Sequence, residues 1–442
     1  MKILFINPPM TSGRSHDAME PLAFAILAAL TGDEHQIEFI DNRIEPLSAP
    51  EAVDIVAISV QTFTARRAYE IADIYRALGA KIVMGGFHAT LCSDEVQQHA
   101  DAVVIGPAET VWSQLLDDAN RGRLQHRYIG SGGIERMQVD RSIFAGKRYK
   151  PLSLVETARG CRFACDFCSI HAFHGDRVEL RPIQDVTQEL KTLKTLKRRR
   201  VCFTDDNMLT SPQRLGELLD QLEKLDIKWM CQASVDISAD TDLLARMARS
   251  GCRVVTVGFE SLNPASLKQM HKPWNRNYGD YIEAVNRFRR SGIMVYGTFA
   301  CGYDSETPQD VRNCLEFAMD AKLMLANFNP LTPMPGTNLY ERLRSQGRLL
   351  NEAWWLDPNY RYGEVVFQPG AMSPQDLEQA CWDARKQFNS YRNILRRAWD
   401  AKANFASLSN AAVFLLANVV SRREIHRKQG SRLGSMHETA AN

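Results

Sequence analysis

The 442-residue chain is 45% hydrophobic and 24% charged, the balance of a folded globular protein, which excludes disordered, collagenous and mucin-like classes. Its 54 basic and 52 acidic residues leave a net charge of +2, so no global field recruits nucleic acid or an anionic membrane. At roughly 150 residues per domain the length fits two or three domains.

The apolar run at Met1 to Pro9 is too short for a signal peptide and has no small-residue cleavage site. The longest apolar stretch, Ala411 to Val420, is interrupted by Asn418 and is about half a membrane span. A cytosolic chain with no transmembrane span is expected. The ten cysteines then read as reduced core residues, metal ligands or redox groups.

Up to about residue 120, short Ile- and Val-rich runs alternate with helical stretches. Strands are expected at Lys2 to Ile6, Gln36 to Ile40, Val53 to Val60, Lys81 to Gly85 and Ala102 to Gly106. Helices are expected at Leu22 to Leu30, Ala65 to Leu78, Asp94 to His99 and Thr110 to Asn120. That pattern is a five-stranded, doubly wound α/β domain, whose ligands bind at the carboxyl ends of the strands. Residues 121–150 are polar and aperiodic and read as a linker.

A second alternation follows, with strands at Leu152 to Thr157, Arg200 to Thr204, Lys228 to Val235, Arg253 to Glu260, Met294 to Ala300 and Met324 to Asn329. Six successive β-α units fit a parallel partial (β/α)6 barrel. Beyond about residue 345 come Trp354, Trp355, Tyr360 and Tyr362, which read as aromatic core or as the lining of an apolar substrate site. Helices from Pro374 and from Ser409 complete an α-helical C-terminal region. The expected division is 1–125, a linker at 126–150, 151–345 and 346–442.

The most informative segment follows the first strand of the second alternation: Cys161, Cys165 and Cys168 in C-x3-C-x2-C spacing. A structural zinc would need a fourth ligand, for which His171 and His174 are near. Three thiolates can instead hold three irons of a [4Fe-4S] cluster and leave the fourth open. At these residues, with Phe167 before the last cysteine, the sequence resembles the radical S-adenosylmethionine (SAM) superfamily. The resemblance implies that the open iron binds SAM and that an electron from the cluster splits its sulfonium.

It further implies SAM contacts near Thr204-Asp205-Asp206-Asn207, with Asp206 foremost, and at Glu260, a ribose-contacting carboxylate. Gly297 would let an adenine approach the fifth strand. An Asx turn, a helix N-terminal charge and a bulge are the plain alternatives. Gln232 and Ser234 either face the same pocket or end their strand. The loop Leu331 to Thr337 is a rigid turn or a lip of the substrate opening, and Cys92 and Cys381 are candidates for exposure. No catalytic residue is identified.

A doubly wound domain before such a barrel resembles the cobalamin-binding class of the superfamily, over nearly all of residues 1–340. The resemblance places a corrin over Ser59, Thr62, Gly85, Gly86, His88, Gly106 and Glu109. There is no Asp-x-His-x-x-Gly sequence to supply a lower cobalt ligand; His16 lies in the first loop, and His88 would touch a cofactor edge or cap a helix. The implied function is radical SAM functionalisation of an unactivated carbon, with methyl transfer from cobalamin first and ring formation or oxidation as the alternative. The expected partners are a small-molecule or lipid-like substrate and an external low-potential electron donor. A different class, an iron-sulfur electron carrier or sensor, shares the cysteines but needs neither the barrel nor the open iron. The segment from Phe414 to Lys428 reads as a packed helix with a solvated basic end, or as one that lies on a membrane or holds a lipid-like substrate.

Overall fold

The Ile- and Val-rich runs at the start of the chain form the inner strands of a sheet, buried on both faces, and two more exposed strands flank them. They are β1 (Lys2–Asn7), β2 (Gln36–Asp41), β3 (Ile55–Ser59), β4 (Lys81–Gly85), β5 (Ala102–Ile105) and β6 (Arg127–Ile129). In this computed structural model, which describes residues 1–47, 51–277 and 280–434, they pair in parallel in the order β2-β1-β3-β4-β5-β6. Successive side chains of β1 point to opposite faces. Leu4 and Ile6 pack with Ala68, Ile71 and Ala72 of helix Ala65–Arg76. Ile3 and Phe5 pack with Phe24 and Trp112, from helices Leu22–Leu30 and Trp112–Asn120. Helices on both faces are what parallel strands need.

The expected doubly wound domain is therefore present, with one strand more than expected. Arg127–Ile129 lies in the segment read as a linker; it is three residues long and buries only Tyr128, too little for an apolar pattern to register. The reading also missed the short helix Phe87–Leu91 that leaves β4.

The second sheet contains β7 (Ser153–Val155), β10 (Arg200–Phe203), β11 (Lys228–Ala233), β12 (Cys252–Glu260), β13 (Met294–Cys301) and β14 (Leu325–Pro330), with an antiparallel pair, β8 (Ala158–Arg159) and β9 (Glu179–Leu180), set apart from it. The sheet order is β14-β13-β12-β11-β10-β7. Each strand neighbours the next in sequence, and β7 and β14 remain edges, so the barrel is partial, as expected. Fully buried Trp229, Phe203, Phe259, Phe299 and Phe328 fill the barrel core, each contributing about 1.5–3 kcal/mol.

Thr337 caps helix Asn338–Ser345 by accepting from Tyr340 N at 3.2 Å, so the loop before it is a turn. Trp354, Trp355 and Tyr360 are buried, with the Trp354 ring against Phe63 at 5.3 Å and the Trp355 ring against His88 at 5.4 Å in the first domain; these aromatics are core. The C-terminal helices are Pro374–Phe388, Tyr391–Ala398 and Leu408–Lys428. Cys381, a candidate for exposure, is buried, and Cys92 is half-buried. No helix among the described residues is long and apolar enough to cross a membrane.

Candidate active site

The three cysteines of the motif sit on the loop that leaves β8 and returns through helix Ser169–His174 to β9. Gly160 opens the loop at φ +83°, and a Cβ there would lie 2.0 Å from Arg177 O, so a side chain would force the loop's two ends apart. Side chains from distant strands pin the loop. Gly160 N donates to Asp206 Oδ2 at 2.8 Å, and the Tyr303 hydroxyl donates to Asp166 Oδ1 at 2.5 Å. Arg162 pairs with Asp236.

Cys165 is buried, and Cys161 and Cys168 are partly exposed. Burial pushes the Cys165 thiol up to about 12 and raises Cys168 as well, and each feels the charge of its neighbouring cysteines. Three cysteines on one loop supply the sulfur donors that an iron-sulfur group takes, so the donor set suits a metal group. Among the described residues no three His, Cys, Asp or Glu side chains converge on a single ion. A cubane requires no such convergence, because each thiolate takes its own iron. The residues fit a [4Fe-4S] cluster held by Cys161, Cys165 and Cys168.

Around the loop, the barrel edge gathers most of the residues expected for SAM. Asp206 faces the cleft described below with one carboxylate oxygen committed to Gly160, and burial raises its pKa. Gln232 Nε2 donates to the Asp206 carbonyl at 3.2 Å. The Phe167 ring meets Tyr303 edge-on at 6.5 Å. Glu260 sits at φ +61° where β12 bulges against β13, a conformation that costs a side-chain-bearing residue about 1–2 kcal/mol. It is held there by Lys272, whose Nζ donates to Glu260 Oε1 and to Gly258 O, both at 2.9 Å. At Gly297 a Cβ would lie 2.6 Å from Leu323 and 3.3 Å from Phe259, so a side chain there would collide with the core.

One cleft, with about 1300 Å³ of empty space including its open mouth, runs between the two sheets. Ser59, Gly85, Gly86 and Gly106, at the carboxyl ends of β3, β4 and β5, line one side; Glu156, Arg159, Phe173, His174 and Asp206 line the other. Ile26, Leu27, Phe87 and Trp112 make its walls largely apolar. A broad apolar cradle at strand ends fits a corrin. Gly86, at φ +108°, lets the chain turn off β4 where a Cβ would meet Val60 O at 2.9 Å.

Glu109 closes the cleft's edge by accepting from Arg159 at 2.6 Å, while Glu156 accepts from the same guanidinium at 2.8 Å. Burial alone would lower the Arg159 pKa, but the two carboxylates hold it above its ordinary value. His174 is kept neutral, its pKa lowered to about 4 by burial and then by Arg159.

His88 and Thr62 are corrections. Both lie beneath the cleft rather than on its wall, and His88 is fully buried. Its ring nitrogens are taken by Thr62 Oγ1 at 3.2 Å and Glu95 Oε1 at 3.0 Å, so it ties the domain together instead of touching a cofactor edge. His16 does not line the cleft; its backbone N–H donates to Glu424 Oε1 of the last helix at 3.4 Å.

Lys272, Arg159, Phe173 and Tyr303 were not foreseen as site residues. Arg159 stands inside the motif, where its buried charge was the available signal. Lys272 and Tyr303 carry no spacing that ties them to the cysteines.

The sequence comparisons agree with this arrangement. Residues 13–116 match the profile of the B12 binding domain, and residues 155–318 that of the Radical SAM superfamily. The chain is 29% identical over 402 residues to the bacteriochlorophyllide d C-12(1)-methyltransferase of Chlorobaculum tepidum, covering 88% of this chain and 87% of that protein. It is 28% identical over 394 residues to the bacteriochlorophyllide d C-8(2)-methyltransferase of the same organism, covering 85% and 87%. In fold it resembles the cobalamin-dependent S-adenosylmethionine radical enzyme OxsB, solved with aqua-cobalamin and S-adenosylmethionine bound, with a TM-score of 0.68 at 13% identity over 96% of this chain and 72% of that one.

Proposed function

The chain belongs to the radical SAM superfamily, in the class that carries a B12-binding domain, with a [4Fe-4S] cluster, SAM and cobalamin as its cofactors; from this we propose that it methylates an unactivated carbon of a small or lipid-like molecule. The observation that carries the reading is the shared cleft, walled by the strand ends of the B12-binding domain and by the loop region of the cysteines. Two relatives that match along most of their length are named as methyltransferases.

When bound, the cluster supplies the electron that splits SAM to methionine and a 5'-deoxyadenosyl radical, and cobalamin supplies the methyl group. Cys161, Cys165 and Cys168 hold the cluster. Asp206 fixes the cluster loop through Gly160 and lines the cleft, where it orients SAM; Glu260, held by Lys272 at the neighbouring strand end, is the second SAM contact. The Arg159–Glu109 pair draws the two sheets together at the cleft's edge and limits the access of water to a reactive radical. Reduction comes from an external low-potential donor, and the enzyme works in the cytoplasm.

The test is anaerobic purification with cobalamin supplied, then turnover with SAM bearing a deuterated methyl group and bacteriochlorophyllide d as the first candidate substrate. Iron, cobalt, 5'-deoxyadenosine and a labelled product are expected. SAM cleavage with an unlabelled, cyclised or oxidised product would replace methylation by the alternative chemistry. An iron-loaded protein that leaves SAM intact would be a carrier.

A further inference from the structure

Among the described residues, eight of the fifteen exposed large hydrophobic side chains fall between 391 and 419, on two adjacent helices and their connection. Tyr391, Leu395 and Trp399 are spaced four apart, so they share one face of helix Tyr391–Ala398 and its end; Trp399 is 85% exposed. Helix Leu408–Lys428 is partly inverted. It buries Asn410 and Asn418 on either side of Phe414 and turns Leu408, Leu415, Leu416 and Val419 outward, Leu408 at 92% exposure.

The inversion has a cause inside the protein. The Arg397 guanidinium is completely buried with no carboxylate among its partners, and it donates to Leu323 O, Met324 O, Phe388 O and Asn418 Oδ1 at 2.8–3.0 Å. Asn418 also donates to Met324 O at 3.1 Å. Two of the inner positions go to asparagines that serve this polar centre and nearby backbone carbonyls, with Phe414 packed between them, and the leucines on the opposite side are left outside. Exposed apolar area of this extent marks an interaction surface.

The charges identify the partner. Between 391 and 423 the exposed or half-exposed cations are Arg392, Arg396, Lys402, Arg422 and Arg423. The single acid, Asp400, is buried and paired with Arg289 at 2.9 Å. Asp320 of a neighbouring helix meets Arg396 at 3.0 Å at the margin. Arg422 lies 4.4 Å from the Tyr391 ring centroid, which joins the two helices' stripes at one end. Two copies meeting across a two-fold axis would set these cations against themselves, whereas an anionic bilayer complements them. Exposed Trp and Tyr side chains beside Leu and Arg are also the composition of an interfacial surface.

We propose that the helices Tyr391–Ala398 and Leu408–Lys428 dock the protein on an anionic lipid bilayer, as a surface-bound enzyme without a membrane span. The chain's net charge of +2 conceals this local asymmetry.

The test is vesicle flotation of the reconstituted full chain against phosphatidylcholine vesicles with and without one-quarter phosphatidylglycerol. Binding to the anionic vesicles alone, weakened by salt, is expected. Reversing Arg392, Arg396 and Arg423 to Glu leaves the apolar positions intact and should weaken binding by more than a hundredfold. The triple variant Trp399→Ser, Leu408→Ser, Leu416→Ser should abolish flotation with SAM cleavage unchanged. The proposal falls if neither vesicle binds, if both bind equally, or if sedimentation shows a dimer that the triple variant dissociates.

Discussion

Arg159 donates to Glu109 across the boundary between the two sheets, at 2.6 Å and fifty positions away in the chain. The pair ties the strand-end loop after β5 to the start of the cysteine loop. Both side chains are mostly buried, so removing Arg159 leaves the Glu109 carboxylate uncompensated, at a cost of about 3–5 kcal/mol, whereas removing the Glu109 charge costs less because Arg159 keeps its pairing with Glu156. Arg159→Met or Glu109→Gln alone should lower the unfolding midpoint and the cobalamin content. The double variant should be less damaged than the sum of the two, as measured by denaturation and by visible absorbance.

Replacing Cys161, Cys165 and Cys168 together by Ala should abolish iron content and 5'-deoxyadenosine release. Cobalamin binding should persist, because its cradle is built largely from β3, β4 and β5. Metal analysis and cobalamin stoichiometry on the same sample separate the two sites.

Asp205 is fully buried, accepting from Thr157 N at 2.7 Å and from the Thr157 hydroxyl, and burial pushes its carboxyl up to about 7. The folded chain therefore holds this proton more tightly than the unfolded chain does. The associated stability is complete below about pH 4, falls as pH rises and is lost above pH 7, roughly 4 kcal/mol in all. Asp205→Asn should flatten that part of the stability profile between pH 4 and 7. An unchanged slope in urea titrations would reject the assignment.

His88→Ala removes a buried ring that bonds Thr62 and Glu95, and Glu95 also accepts from Trp355 Nε1 at 3.1 Å. A loss of roughly 2–4 kcal/mol is expected from the cavity and the unpaired groups. Cobalamin stoichiometry should not change. A change in the cobalt(II) EPR spectrum would show that His88 reaches the metal after all.

Lys272 holds Glu260 in its left-handed conformation, so Lys272→Met should copy Glu260→Gln. Each should raise KM for SAM with iron content intact, and the double variant should be no worse than either alone. Steady-state 5'-deoxyadenosine release measures this.

Asn418 shows where sequence reasoning reached its limit. In the sequence it interrupts the longest apolar run; in the fold it is the helix's inner contact, bonded to Arg397 at 3.0 Å. Trp354 and Trp355 read by default as core, with substrate lining as the alternative, and their packing on the first domain decides for core. His88 follows a glycine-bearing strand end, as a cofactor contact would, but the short helix it opens carries it inward.

The cysteine triplet and the twelve parallel strands less Arg127–Ile129 could be read from the chain because their signals are local. Three thiols within eight positions must share one loop, and an Ile- or Val-rich run has few places to go except between helices. The pairings of Arg159 with Glu109, Lys272 with Glu260 and Arg397 with Asn418 came from the folded arrangement alone. Those partners stand 50, 12 and 21 positions apart, and a buried charge selects the neighbour that packing brings to it, which no spacing along the chain encodes.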